Sequence, residues 1–178
     1  MKRKAGSQRG LGRAPSPILA TVLPWVTIVV AILTPLLPII PPVPLLPPLG
    51  FLFLVAWRLQ RPGLLPIWAG FPLGLLDDLY SGQPFGSGIM LWSAAMIALE
   101  VIESRFPWRS FVQDWLTALL ITGIYLVAAS ILSGATPSLF AIFLLGPQLV
   151  LSAIAFPLIA RFVSGLDRAR LAPVGGRA

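Results

Sequence analysis

Long apolar runs separated by short polar segments dominate the chain. No Asp, Glu, Lys or Arg occurs from residue 14 to residue 57, or from residue 115 to residue 160. A helix needs ~20 apolar residues to cross ~30 Å of hydrocarbon, so each run is long enough for two crossings. Prolines interrupt the first run between Pro35 and Pro48, and the segment 133–137 interrupts the second. Both interruptions predict a reversal, and each run therefore predicts a helical hairpin.

Two further apolar segments lie between these hairpins, Gly63–Tyr80 and Phe85–Ile102, and the sequence SGQPFG joins them. Each is close to the length of one membrane span. The pattern therefore predicts an all-α integral membrane protein with a bundle of six transmembrane helices in a membrane domain at 18–163. Its approximate spans are 18–40, 44–57, 63–80, 85–103, 112–133 and 138–162. Basic tails are predicted at 1–17 and 164–178.

The basic residues predict the orientation in the membrane. All of them lie before the first span, between the second and third, between the fourth and fifth, or at the end of the sixth and beyond it, which is one side of a six-span protein. Lys and Arg concentrate in cytoplasmic loops, so we expect a multi-pass protein of the bacterial inner membrane with both termini in the cytoplasm. The net charge of +7 is explained by this topology, and no nucleic-acid partner is predicted. The residues are Lys2, Arg3, Lys4, Arg9, Arg13, Arg58, Arg61, Arg105, Arg109, Arg161, Arg168, Arg170 and Arg177.

Composition narrows the possible chemistry. The chain is 57% hydrophobic and has neither cysteine nor histidine. Disulfides, thiol nucleophiles, imidazole bases and the usual zinc ligands are therefore excluded. We predict no metal, no cofactor and no catalytic residue.

Two adjacent aspartates, Asp77 and Asp78, are the exception to this apolar pattern, in the stretch GLLDDLYSGQPFG. They fall in the outer third of the predicted third helix, where an ionised side chain needs a partner or water. Neighbouring helical positions point ~100° apart, so one carboxylate is expected to face the bundle and the other the membrane interface. A third aspartate, Asp114, begins the fifth span on the opposite side. The spacing therefore argues against an acid/base pair or a two-carboxylate metal site.

The same stretch also has a structural interpretation, in which it forms a turn and a close contact between helices. Asp78 is expected to accept hydrogen bonds from the backbone amides of Ser81 or Gly82 and so close the following turn. Gly70 and Gly74 are spaced four apart, as in membrane helices that pack closely together. Both features predict a rigid connection to the next helix.

Five residues of this region, Gly74, Asp78, Ser81, Gly82 and Gly86, form the pattern G-x-x-x-D-x-x-S-G-x-x-x-G. The pattern resembles the central signature of the rod shape-determining protein MreD family. The resemblance extends to the basic amino terminus, the proline-interrupted first hairpin, the turn Arg58–Pro62, and the last helix with Gln148 and Pro157. The chain departs from the family at Asp77, where an apolar residue is more usual.

This resemblance implies a non-enzymatic role in cell shape and lateral peptidoglycan synthesis. Its implied partners are an MreC-like membrane protein, MreB, RodA and the penicillin-binding transpeptidase that works with RodA. The family also resembles in fold the substrate-binding subunit of energy-coupling-factor transporters, which implies an alternative: a membrane subunit that binds a vitamin-like small molecule. In that case we expect a pocket lined by Asp77, Asp78, Tyr80 and Gln83.

Overall fold

A computed structural model of the protein describes residues 17–36, 46–106, 110–134 and 139–171. Within these ranges the chain forms six α-helices and two short 3-10 turns, at Thr34–Leu36 and Ile67–Ala69, and no strand. The prediction of an all-α protein is therefore confirmed. The helices are α1 (Pro17–Ile32), α2 (Leu49–Gln60), α3 (Gly70–Tyr80), α4 (Ser87–Arg105), α5 (Phe111–Leu132) and α6 (Leu139–Leu171).

Length separates the helices into two groups. Three segments are long and apolar enough to cross a membrane: Ser87–Arg105, Phe111–Leu132 and Leu145–Arg170. The apolar helical segments Thr21–Leu36 and Leu49–Gln60 are shorter, and α3 has only 11 residues. At ~1.5 Å per residue, α3 alone extends ~16 Å, about half of a ~30 Å hydrocarbon layer. The structure thus supports six helices, three of them candidate spans, while six complete crossings stay a prediction.

Several helix ends differ from the predicted spans, among them the end of α1, both ends of α2, the start of α3 and the end of α6. Residues 63–80 were predicted as one span, but the α-helix begins only at Gly70 and follows a loop and a 3-10 turn. Pro66 ends the loop with an extended backbone, which is the conformation that the following turn requires. At the other extreme, α6 continues to Leu171, past the predicted end of the sixth span at 162. Its last turns stay helical because Ser164, Asp167 and Arg170 contact other side chains of the bundle.

Several predicted features lie outside the described residues. These are the basic residues before α1, residues 37–45 of the proline-rich interruption, residues 135–137 of the second interruption, Arg109, and the chain after Leu171.

The central helix of the bundle is α2, which contacts α1, α4, α5 and α6. Phe51 on α2 stacks on Tyr125 at a centroid distance of 4.2 Å and meets Trp92 edge-on at 5.7 Å. One turn and a half further along α2, the buried Trp57 donates its indole N–H to Thr27 Oγ1 of α1 at 2.9 Å. Aromatic packing around α2 therefore ties four helices together.

Large apolar side chains cover the outside of the bundle. Ile97, Leu120 and Leu158, on α4, α5 and α6, each expose more than half of their surface. Such a surface is unfavourable in water and is typical of contact with lipid. The bundle is thus apolar outside, and its buried charged side chains, Arg58, Asp78 and Asp167, lie at two places in the bundle.

Candidate functional site

The α3–α4 junction, defined here as residues 70–89, brings two helices into backbone contact. A Cβ atom added at Gly74 would lie 2.5 Å from the carbonyl oxygen of Gly88, and one at Gly70 would lie 2.7 Å from that of Trp92. A side chain at either position would push the helices apart. Gly88 completes the contact from α4, because a Cβ there would lie 2.8 Å from the carbonyl oxygen of Gly74. The predicted site did not include Gly88, although it stands in a Ser-Gly pair of small residues at the start of α4.

Asp78 closes this junction from α3. Its side chain is buried, and it accepts hydrogen bonds from the backbone N–H groups of Gly86 at 2.9 Å, Gly88 at 2.6 Å and Ile89 at 3.2 Å. These groups belong to the first turn of α4, whose N–H groups have no partner within the helix. The N-cap residue Gly86 has no side chain to bind them. Asp78 therefore caps α4 from the neighbouring helix, with its negative charge at the positive end of the helix dipole.

The amides predicted to bind Asp78 were the wrong ones. Ser81 and Gly82 follow α3 directly, and the Ser81 N–H instead donates to the carbonyl oxygen of Asp77 at 2.8 Å. Because α4 folds back alongside α3, the Asp78 carboxylate reaches across to α4 rather than along its own chain. Gly82 and Gly86 have positive φ angles of +70° and +96°, a conformation that favours glycine in the tight connection. The structure thus brings Gly74, Asp78 and Gly86 into one contact, and Ser81 and Gly82 into the loop that permits it.

Asp77 also points into the bundle. Its Oδ2 accepts hydrogen bonds from the Trp92 indole N–H at 3.2 Å and from the Tyr125 hydroxyl at 3.3 Å. Both partners are buried, one on α4 and one on α5. The expectation that one aspartate faces the interface is therefore wrong: each carboxylate faces inward, toward a different set of donors.

No local pattern in the sequence could have assigned these partners to Asp77. Trp92 and Tyr125 lie 15 and 48 residues further along the chain. The Trp92 side chain is fully buried. The one available signal was chemical, since a buried indole or phenol usually finds a polar partner.

A second polar region, which we call the basic end, gathers the last turns of α2, α4 and α6. Arg58 is only 2% exposed and donates to the carbonyl oxygen of Leu65 at 2.8 Å. It also pairs with Glu100, and with Glu103 at 3.0 Å, both on α4. Arg58 was predicted to lie in a loop as a determinant of topology. The structure instead places it within α2 as a buried link between α2 and α4.

Asp167 on α6 forms the other half of the basic end. This buried carboxylate pairs with Arg61, whose Nε lies 2.7 Å from Oδ2, and with Arg170 at 2.6 Å. Arg170 also lies over the ring of Trp57, at 5.7 Å from the centroid. The end of α6 is therefore fastened to the end of α2 by charge and by a cation–π contact.

The contacts at the junction are structural, because they hold neighbouring helices together. The carboxylates of Asp77 and Asp78 accept hydrogen bonds from groups of the protein itself, and the two sets of donors do not overlap. Asp114 begins α5, near the basic end, and lines a cavity there with Gln60 and Ser164. The arrangement thus holds the helices together, and the described residues contain no group of three or more acidic side chains that could hold a metal ion.

The family model for the rod shape-determining protein MreD matches residues 16–169, which include nearly all of the six helices. No curated protein and no solved structure matches the chain. The predicted similarity in fold to the substrate-binding subunit of energy-coupling-factor transporters is accordingly not supported.

Proposed function

Because the chain belongs to the rod shape-determining protein MreD family, a family of membrane proteins that determine cell shape, we propose that it is a non-enzymatic component of the cell-elongation complex. It sits in the bacterial inner membrane and assembles with an MreC-like membrane protein. MreB, RodA and the transpeptidase partner of RodA complete the assembly, which carries out lateral peptidoglycan synthesis. The observation that carries this proposal is the family match across residues 16–169.

The orientation that we propose places both termini in the cytoplasm. The pairing of Arg61 with Asp167, and of Arg58 with Glu100, supports this, because it draws the ends of α2, α4 and α6 to one end of the bundle. Lys and Arg mark the cytoplasmic side of membrane proteins. A reporter that is active only in the periplasm, fused after Ala178, should therefore be silent, and activity of that fusion would contradict the proposal.

The α3–α4 junction supports a scaffolding role. Its two carboxylates cap α4 and accept hydrogen bonds from Trp92 and Tyr125. The carboxylates that were expected to line a ligand pocket therefore already have partners within the protein. Tyr80, also expected to line such a pocket, is 42% exposed on the outside of α3. These contacts do not favour the alternative of a vitamin-binding subunit. In our proposal the junction keeps a defined surface available to partner membrane proteins.

The decisive experiment replaces the chromosomal gene with a tagged copy and follows cell width and complex composition together. Depletion should widen the cells. Crosslinking in intact membranes, followed by purification through the tag, should recover the MreC-like protein with the tagged chain. Cells of normal width without the protein, or a crosslinked complex that lacks the MreC-like protein, would contradict the proposed role.

The proposal of a non-enzymatic role has its own test. The purified full chain in detergent should neither release phosphate from a lipid-linked wall precursor nor cleave it. Turnover of the precursor, lost on substitution of Asp77 or Asp78, would contradict this part of the proposal and leave the membership of the complex intact.

A further inference from the structure

A cleft opens at the basic end between α2, the start of α5 and the last turns of α6. It has two adjoining chambers, of about 580 Å³ and 330 Å³. Leu59, Gln60, Asp114 and Ser164 line both chambers, so the two form one continuous cleft. No contact of the α3–α4 junction involves this cleft, and the proposed function does not use it.

The two chambers differ in polarity. The larger is lined by Arg61, Asp167 and Arg168 in addition to the shared residues, and the smaller by Phe111, Phe156 and Ala160. On α6 the lining residues Phe156, Ala160, Ser164 and Arg168 follow one another at intervals of four. They therefore form one stripe, ~18 Å long, along a single face of the helix. The cleft changes along this stripe from apolar, toward the middle of α6, to charged at its end.

Three arginines and two aspartates, Asp114 and Asp167, line the cleft, so the charge of its lining favours an anion. Asp167 is already compensated by Arg61 and Arg170. Arg161, at the border of the smaller chamber, is exposed and makes no hydrogen bond or ion pair within the described part of the chain. Arg168 is exposed as well, and its Nε donates to the carbonyl oxygen of Ser164 at 3.3 Å. Two guanidinium groups on one helix face, seven residues apart, are thus placed to bind an anionic group beside an apolar slot.

We propose that this cleft binds one anionic phospholipid. The phosphate of the headgroup lies between Arg161 and Arg168. The Gln60 side-chain amide, which donates one of its two N–H groups to the Ala160 carbonyl oxygen, supplies the other N–H as a further donor. The first part of an acyl chain fills the smaller chamber against Phe111 and Phe156. A free phosphate would satisfy only the polar half of the cleft, whereas a phospholipid satisfies both halves. Basic pockets between helix ends at a membrane surface are typical sites for such headgroups.

The test measures lipid binding to the purified full chain in detergent by native mass spectrometry. Three probes are compared: dioleoyl phosphatidylglycerol, dioleoyl phosphatidylcholine and glycerol 3-phosphate. We expect phosphatidylglycerol to bind at least about fivefold more tightly than phosphatidylcholine, and glycerol 3-phosphate to bind weakly. Each of Arg161→Gln and Arg168→Gln should reduce phosphatidylglycerol affinity about twofold, and the double variant should abolish the preference.

The matched control is Arg105→Gln, which removes an exposed arginine at the end of α4, outside the cleft. This variant should keep the lipid preference of the parent chain. The double lysine variant, Arg161→Lys with Arg168→Lys, keeps both charges and should retain most of the preference. Because the two arginines are exposed, all variants should unfold at the temperature of the parent. If the double glutamine variant is unstable, the two single variants carry the test.

Three results would overturn the proposal. Equal affinity for the two lipids would show that the cleft does not select an anionic headgroup. A loss in Arg105→Gln as large as in the double glutamine variant would show a general effect of surface charge. Binding of glycerol 3-phosphate as tight as that of phosphatidylglycerol would show that the smaller chamber does not hold a lipid chain.

Discussion

The α3–α4 junction and the basic end both hold helices together with carboxylates, but they use different partners. At the junction, Asp78 binds backbone amides that lie 8 to 11 residues further along the chain. At the basic end, Arg58 and Arg61 bind carboxylates that are 42 and 106 residues away. The first kind of contact connects neighbouring helices through a short loop. The second kind of contact joins helices that are far apart in the chain, and so it closes the bundle.

This difference predicts different responses to mutation. A backbone amide cannot be mutated away, so loss of Asp78 leaves its donors without a partner. A side-chain ion pair has two removable members, and removal of both is far less harmful than removal of one. Substitutions at the two regions can therefore distinguish the contribution of helix capping to stability from the contribution of ion pairing.

The largest effect is expected from Arg58→Met at the basic end. Loss of this buried cation leaves Glu103, whose side chain is 10% exposed, without its partner. Breaking a buried pair from one side costs ~3–5 kcal/mol, which should lower the amount of folded protein in the membrane and its unfolding temperature in detergent. The double variant Arg58→Met with Glu103→Leu should recover much of this loss. If the double variant is as unstable as the single one, the pair is not the source of the effect.

Asp78→Ala is expected to be nearly as harmful, at about 3 kcal/mol, because it leaves three amides at the start of α4 without an acceptor. Asp78→Asn keeps one acceptor oxygen and should lie between the alanine variant and the parent. Thermal unfolding in detergent and cell width in a complemented deletion strain are measured together. An asparagine variant as damaged as the alanine variant would indicate that the negative charge, rather than hydrogen bonding, stabilises α4.

Gly74→Ala tests the close approach of α3 and α4 without removing any hydrogen bond. The added methyl group would meet the backbone of Gly88, and overpacking of this kind costs ~1–3 kcal/mol. Gly165→Ala is the matched control, because a Cβ at Gly165 on α6 meets no atom within 4 Å. The control should be neutral or slightly stabilising, since alanine favours a helix over glycine. Equal unfolding temperatures for the two variants would contradict the close packing at Gly74.

The smallest effect is expected from Asp77→Leu, at ~1 kcal/mol. The variant deprives the Trp92 indole N–H and the Tyr125 hydroxyl of the acceptor that they share, Asp77 Oδ2. Removal of a charge that is costly to bury offsets part of the loss. Asp77→Asn, which keeps an acceptor, should be milder still in the same unfolding measurement. Damage from Asp77→Leu that equals the damage from Asp78→Ala would show that the two aspartates act as a unit.

Much of the α3–α4 junction could be predicted because its parts are close together in the chain. The pattern from Gly74 to Gly86 identified the aspartate, the connecting loop and the family. The amides that Asp78 binds could not be identified in this way, because they depend on how α4 folds back over Gly74. That packing is a contact between helices, and no property of the residues 81–86 by themselves determines it.

The sequence by itself determined the all-helical class and the membrane environment, because apolar runs of this length can satisfy their backbone in lipid only as helices. The pattern from Gly74 to Gly86 also indicated the family, which the family-model match over residues 16–169 confirms. The tertiary structure decided which polar groups meet: Asp77 with Tyr125, Arg58 with Glu100, Arg61 with Asp167, and the lining of the cleft along α6. These residues are far apart in the chain and follow no local periodicity. Each pair forms only because packing around α2 brings the helix faces together, and burial then makes a polar group without a partner costly.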